Sequence, residues 1–459
     1  MIFKPSRFLN WLVLFSFYFQ TLWPTVVFAA EVDVMRPVSP SRFFYAPSAP
    51  DTMVLDLGVM VDEKDEVFDT TSKRPTLKIP FSESLTEIQE LIDDSLSITS
   101  LYPGLKVSEQ GLTWVNYGYS FFLNNDGHLN VKPQAGASYR ATDLRLHNPH
   151  GLITIEERVD LSHLRAKAQH VLFKGCQGRI NNLSVWAIGE GAGGTTGEDE
   201  KLSGVVGVDS LSLLTVRKAT IHQGTLHNSG RVSIAAHGIL DMKEQAILND
   251  GLVAMGDHST LRAKEISNQR VQSNPAVSPI IGQLLGRGTV TLDIGTFRNL
   301  GDVRVGTLQG RIRQLINAGH FEATKEFNNL TIQDLLNGGR FKGNGQLNVA
   351  GVNRGVLEGE DLTLTLLDTF ANKGYITVTK KLSTLGRGAF IQEGKLDLPD
   401  AYFNNDFFIN RSSIDSNHST WVFGKDVERW HNEDKASLAL QSITFEKSDK
   451  CHCQLKFPR

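Results

Sequence analysis

Phe297-Arg298-Asn299-Leu300-Gly301-Asp302-Val303-Arg304-Val305 is the stretch on which the fold turns. Apolar residues fill alternate places, with Asn299 and Gly301 set into the same alternation. The frame recurs as Leu315, Asn317, Gly319, Phe321 and Ala323, and again as Phe370, Asn372, Gly374, Ile376 and Val378. Looser or matching copies start at Leu226 (Asn228, Gly230), Ile247 (Asn249, Gly251), Leu335 (Asn337, Gly339), Gly351 (Asn353, Gly355) and Phe390 (Gln392, Gly394). An outlying copy, Leu123, Asn125, Gly127, Leu129 and Val131, lies far upstream. From Asn299 the steps to Asn317, Asn337, Asn353, Asn372 and Gln392 are 18, 20, 16, 19 and 20 residues. A period near 20 marks a repeat architecture, in which each unit completes the buried face of its neighbour.

Each unit offers a bend and two or three short strands. Asn and Gly suit a bend because both enter the left-handed region at little steric cost. The apolar residues after Gly form one inward strand, a second group follows as in Leu362, Leu364 and Leu366, and a third precedes the next Asn. These features predict one turn of a parallel β-helix per repeat, stacked at about 4.8 Å, or roughly 50 Å for some ten turns between Asn228 and Ile409. The Asn side chains would lie in register and share amide hydrogen bonds. Antiparallel hairpins with Asn-x-Gly in the turn, including an outer-membrane barrel, use the same alternation. The absence of regular ten-residue strands and of aromatic girdles favours the coil.

Outside the repeats the sequence changes character. Residues 1–29 have the form of a secretory signal: Lys4 and Arg7, an apolar stretch from Phe8 to Leu22, and Val27-Phe28-Ala29 before a cleavage point at Ala29 or Ala30. Residues 30–115 are a mixed region, with a strand near Met53–Val61 and an acidic turn at Asp62–Glu66. Ser84-Leu85-Thr86-Glu87 has capping-box spacing, and Leu85, Ile88, Leu91, Ile92 and Leu96 predict a helix there. Residues 116–220 read as an irregular start to the coil, with a Gly-rich loop at 189–197. Residues 221–425 hold the repeats, interrupted near Asn274–Pro279, and 426–459 form a charged tail with one strand-like run, Ser437–Phe445. The expected architecture is thus mostly β, a β-solenoid preceded by a small α/β region. No stretch after the signal is long and apolar enough to span a membrane. A net charge of −3 gives no reason to expect nucleic acid.

The repeat, read in copies such as Leu226-His227-Asn228-Ser229-Gly230-Arg231-Val232-Ser233-Ile234, resembles the adhesin repeats of the filamentous-haemagglutinin family of secreted bacterial exoproteins. The resemblance covers about residues 120–410 and is fullest over 220–400. It implies a right-handed parallel β-helix, export, and two-partner secretion through an outer-membrane transporter. It also implies adhesion to a receptor or glycan on host or bacterial cells, or a rod carrying a toxin. Asn148-Pro149-His150-Gly151-Leu152 is similar to that family's Asn-Pro-Asn-Gly-Ile secretion signature, with His150 and Leu152 departing from it. As plain sequence it is equally an Asn-Pro turn between strands.

The chemistry-bearing residues give no catalytic constellation. Gly189-Glu190-Gly191-Ala192-Gly193-Gly194 matches a dinucleotide fingerprint, but no amphipathic helix follows, so it reads as a loop with no cofactor. Cys451-His452-Cys453 lacks the second ligand pair that zinc requires. Cys176 reads as a small core residue, and three cysteines define no disulfide framework. The rival to an adhesin is a polysaccharide lyase or hydrolase, which needs converging carboxylates. Asp397, Asp400 and Asp406 are the nearest acidic grouping, and Asp361 and Asp368 flank a strand. Their setting among Pro399 and Asn404-Asn405 is that of a turn, so the expectation is a non-enzymatic structural protein.

Overall fold

The computed structural model describes the strands Ser41–Phe44, Thr52–Asp56 and Thr76–Ile79 and, but for a few positions, residues 106–189, 204–271 and 280–446. The chain divides after Val38, and every described residue belongs to the unit Ser39–Arg459. The signal segment, the helix expected at Ser84–Leu96, the acidic run, most of the Gly-rich loop, Asn274–Pro279 and Cys451–Cys453 lie outside the described residues. Among the described residues there is no helix.

The architecture is a parallel β-solenoid of about 14 turns. One turn shows why the sequence coils. After Gly301, Val303 and Val305 point inward; Leu308 and Ile312 follow on the next faces; Leu315 closes the turn at Asn317, and all five are fully buried. The next turn pairs in parallel and, across two small register shifts, sets Val303 opposite Phe321, Ile312 opposite Ile332, and Asn317 opposite Asn337. Phe321 stacks on Phe341 at 5.0 Å between ring centroids and meets Phe297 edge-on at 6.0 Å. Burial of large apolar side chains at about 25 cal/mol per Å² makes this column the main cohesive element.

The coil begins with antiparallel strands. Gly111–Asn116, Tyr119–Asn124 and Leu129–Pro133 form a meander, and Leu129–Pro133 then pairs in parallel with Asp143–Glu156. The upstream copy of the motif is therefore a hairpin turn and not a coil repeat. Its cap is Asn124, whose Oδ1 accepts the N–H groups of Asp126 (3.1 Å) and His128 (2.8 Å), with Gly127 at φ 78°. The strand expected at Met53–Val61 is Thr52–Asp56, set in parallel against Asp143–His147. At the other end the coil runs on past Trp421. Arg429–Asn432 pairs in parallel with Phe407–Asn410, and Leu438–Phe445 with Ile414–Phe423. These turns lack the Asn-x-Gly frame but keep asparagines in its column, Asn410 and Asn432, and on another face Phe403, Phe408, Trp421, Phe423, Trp430 and Phe445 form one stack.

The repeat glycines serve close approach. None of Gly251, Gly301, Gly319, Gly339, Gly355 and Gly374 has positive φ, which corrects the bend argument made from sequence. A Cβ on Gly339 would stand 2.2 Å from the carbonyl oxygen of Gly319, and one on Gly374 2.1 Å from that of Gly355. The column is thus steric: each glycine lets the turn above settle onto its carbonyl. Gly338, one residue away, has nothing nearer than 3.8 Å. Gly339→Ala should cost about 2–3 kcal/mol by overpacking, whereas Gly338→Ala should be neutral or slightly stabilising. Equal midpoints for the two variants in chemical denaturation would refute the contact argument.

Candidate functional site

The predicted repeat residues meet in one internal column. The Nδ2 of Asn228 donates to Asn249 Oδ1, and the relay continues through Asn268, Asn299, Asn317, Asn337, Asn353 and Asn372 to Gln392 Oε1, each step 2.7–2.9 Å. The second Nδ2 hydrogen reaches a backbone carbonyl in the following turn, as from Asn299 to His320 (2.9 Å) and from Asn317 to Arg340 (3.1 Å). The backbone closes the same corner: the N–H groups of Ala318 and Gly319 donate to Asn299 O, and that of His320 to Gly301 O. Buried amides are tolerable only when satisfied, and here each central member makes three side-chain bonds.

Three members, Asn268, Asn410 and Asn432, were not singled out from sequence. Asn268 has no Gly two residues on, and Gly282 takes the glycine place: a Cβ on Gly301 would stand 2.1 Å from its carbonyl oxygen. The signal was present as Ile266-Ser267-Asn268, 19 residues after Asn249. Asn410 donates to Asn432 Oδ1 (2.7 Å), with Ser412 bridging back to Gln392 at 3.3 Å.

Asn148, Pro149 and Gly151 occupy a different corner. Asn148 Nδ2 donates to Gly127 O (2.8 Å) and Leu152 O (3.2 Å), and a Cβ on Gly151 would lie 2.1 Å from Gly127 O. In register Asn148 is followed by Ala168 and Ala187, so it does not join the column that starts at Asn228. In the two turns before Asn228 the ladder corner carries Phe173 and Val208, and Ser212 and Asp209 do the capping: Cys176 N donates to Ser212 Oγ (2.9 Å) and Gly175 N to Asp209 Oδ1 (3.0 Å).

The acidic residues do not form a described cluster. Asp397 accepts the Tyr375 hydroxyl at 2.9 Å. Asp400 is exposed, in register between Lys381 and Thr420, and Asp406 lies half-buried in the bend of Asp400–Asn410. Asp361 and Asp368 are exposed. Among the described residues no group of three or more His, Cys, Asp or Glu could hold a metal ion. Cys176 is buried, and burial pushes its thiol up to about 12, away from reactivity.

The outer surface holds a groove that sequence reading missed. It spans five turns between residues 163 and 262 and encloses about 530 Å³. Register builds it: Arg165, Ser184, Thr220, Asp241 and Arg262 form one outward column, and His163, Asn182 and Lys218 the next. The coil gives way here because the strand Arg231–Asp241 carries a bulge, with His237 at φ 56° and a register shift between Val216 and Lys218. Arg165, Lys218, Lys243 and Arg262 line it with one carboxylate, Asp241, which pairs with Lys243 at 3.3 Å, while Arg262 also reaches Asp293 in the next turn at 4.0 Å. Burial opposes ionisation of Asp241, but hydrogen bonds from Lys243 and the charges of Lys243 and Arg262 outweigh it and hold the group below its ordinary value. His222 is held below its ordinary value by burial and by Lys243, so it is neutral at pH 7, and it stacks on Trp186 at 4.0 Å. The groove thus offers cations, amide and hydroxyl groups, and the His222 ring. These suit a polar ligand with repeated negative charge.

The fold and this surface define a parallel β-solenoid with an outward groove. No family model, curated protein or solved structure matches the chain.

Proposed function

We propose that the protein is an exported, adhesin-like β-solenoid that engages acidic glycans of a cell surface through the groove at Arg165, Lys218, Lys243 and Arg262. The observation that carries this reading is the convergence of four cations from separate turns onto one recess with a single carboxylate. The described interior supports it from the other side, since the coil core is filled by apolar side chains and the amide column. Secretion, including passage through a transporter partner, rests on the signal-like residues 1–29 and on the family resemblance of the repeats.

The test uses the full chain from an exporting host, immobilised and exposed to polygalacturonate, dextran sulfate and neutral dextran. The mature product should begin at Ala30 or Glu31. Both acidic polymers should bind saturably without shortening, and neutral dextran should not. Lys218→Glu with Arg262→Glu should weaken binding at least about tenfold, or about 1.4 kcal/mol, with unchanged thermal unfolding. Retained affinity in that double variant would refute the groove, and a full-length intracellular product would refute export. Polymer shortening abolished by Asp400→Asn would replace the adhesin with a carbohydrate-active enzyme.

A further inference from the structure

Strand alternation breaks at one bend of the coil. Ser162 and His163, Asn181 and Asn182, and Arg217 and Lys218 are successive pairs in which both residues are at least partly exposed. In register His163, Asn182 and Lys218 stand directly above one another. That column is a wall shared by two recesses. One is the groove that Asp241 lines; the other, around the bend, is a second recess of about 430 Å³. Arg217 and Asn181 line it, together with His237 of the following turn, whose ring stacks on that of His258 at 5.2 Å. No carboxylate lines this second recess.

The cations of the two recesses are not equivalent. Lys243 is paired with Asp241 at 3.3 Å, and Arg262 reaches Asp293 at 4.0 Å. An opposite charge so close cancels much of the field that a cation presents to a third group. Arg165, Arg217 and Lys218, by contrast, have no side-chain ion pair or hydrogen bond among the described residues. Asp143, in register with His163 in the turn before, is engaged by Arg145 at 3.6 Å. The open cations therefore gather where the two recesses meet. Arg165 lies two turns from Arg217 and Lys218, roughly 10 Å down the coil. A single carboxylate or sulfate cannot touch both ends of that span. We infer that the two recesses form one site that crosses the bend and takes an acidic oligosaccharide with at least two anionic groups, one at Arg165 and another at Arg217 and Lys218. This site rests on the glycan reading above, and it assigns to the ligand a residue outside the first groove, Arg217.

Two anchors make affinity depend on ligand length, because the second contact forms without a second loss of translational freedom. The immobilised full chain is titrated with galacturonic acid and with oligogalacturonates of increasing length. Affinity should rise at least about tenfold between the monomer and the first oligomer that spans both anchors, and beyond that only in proportion to length. Arg217→Gln should cut the affinity for the longer oligomers at least about fivefold, with unchanged thermal unfolding, and Arg217→Lys should restore most of it. A monomer that binds as tightly as the longest oligomer would overturn the two-anchor site, as would full affinity in Arg217→Gln. Acidic polymers would still bind in both of those cases. Failure of the glycan reading is distinct, since no acidic polymer would then bind at all.

Discussion

Phe321→Asp should cost at least about 5 kcal/mol and melt the turns on either side of it. Truncating a buried aromatic to a small side chain costs about 3–5 kcal/mol through lost contacts and the cavity left behind. The carboxylate adds a burial penalty that it can reduce only by staying protonated. Phe321 is fully buried between Phe297 and Phe341, so no nearby route leads to water. In a linear stack each turn leans on its neighbours, and the loss should spread along the coil. Arg313→Asp, on the outer face one turn earlier, should change stability by less than about 0.5 kcal/mol. Hydrogen exchange should localise the damage around Phe321. Equal effects of the two substitutions in chemical denaturation would show the inward and outward faces to be misassigned.

Asn317→Leu should cost about 3–6 kcal/mol, although the leucine is similar in size and more apolar. The amide of Asn317 donates to Asn337 Oδ1 at 2.7 Å and to Arg340 O at 3.1 Å, and accepts from Asn299 at 2.8 Å. Leucine leaves one donor and one side-chain acceptor buried without partners, at about 1–3 kcal/mol each, and removes a bond to a backbone carbonyl. Asn317→Asp keeps the shape but turns an oxygen toward two acceptors. Its carboxyl, forced to stay neutral in the fold, has a folded-state pKa above the unfolded value of about 3.9. Such a variant is least impaired below that value and loses stability as the pH rises through it. Denaturation curves at acid and neutral pH check the sign: an Asn317→Asp variant that gains stability from pH 4 to pH 7 would contradict the arrangement of donors.

The repeat was legible because its requirements act one residue at a time. Stacked amides need Asn, or Gln as at Gln392, and a carbonyl pressed against the next turn needs Gly. Both leave marks that survive in a single sequence. The reason for the glycine was not legible, since alternation cannot distinguish a left-handed bend from a steric approach, and Gly339 shows the latter. Where other side chains take over a corner, the pattern vanishes. Ser212 and Asp209 cap the early turns, and in the late ones Asn410 and Asn432 keep the column without a glycine two residues on. The upstream motif misled because Asn-x-Gly alternation also suits a hairpin, and only the antiparallel partners of Leu129–Pro133 separate the two. The groove was hidden for a different reason. Arg165, Thr220 and Arg262 become neighbours only when the register is known, and their separations of 55 and 42 residues follow no single period.

Asn268 and Asn299 are 31 residues apart, against 19 and 18 on either side of that step, yet the hydrogen bond between them is 2.8 Å like its neighbours. The strands on both sides of the added residues keep their parallel register, Leu252–Met255 against 283–286 and Ser259–Asn268 against 290–299. That corner behaves as a splice port. Chain can be added there while the scaffold on both sides keeps its register, so new surface could be acquired, or foreign peptides displayed, without redesigning a single turn.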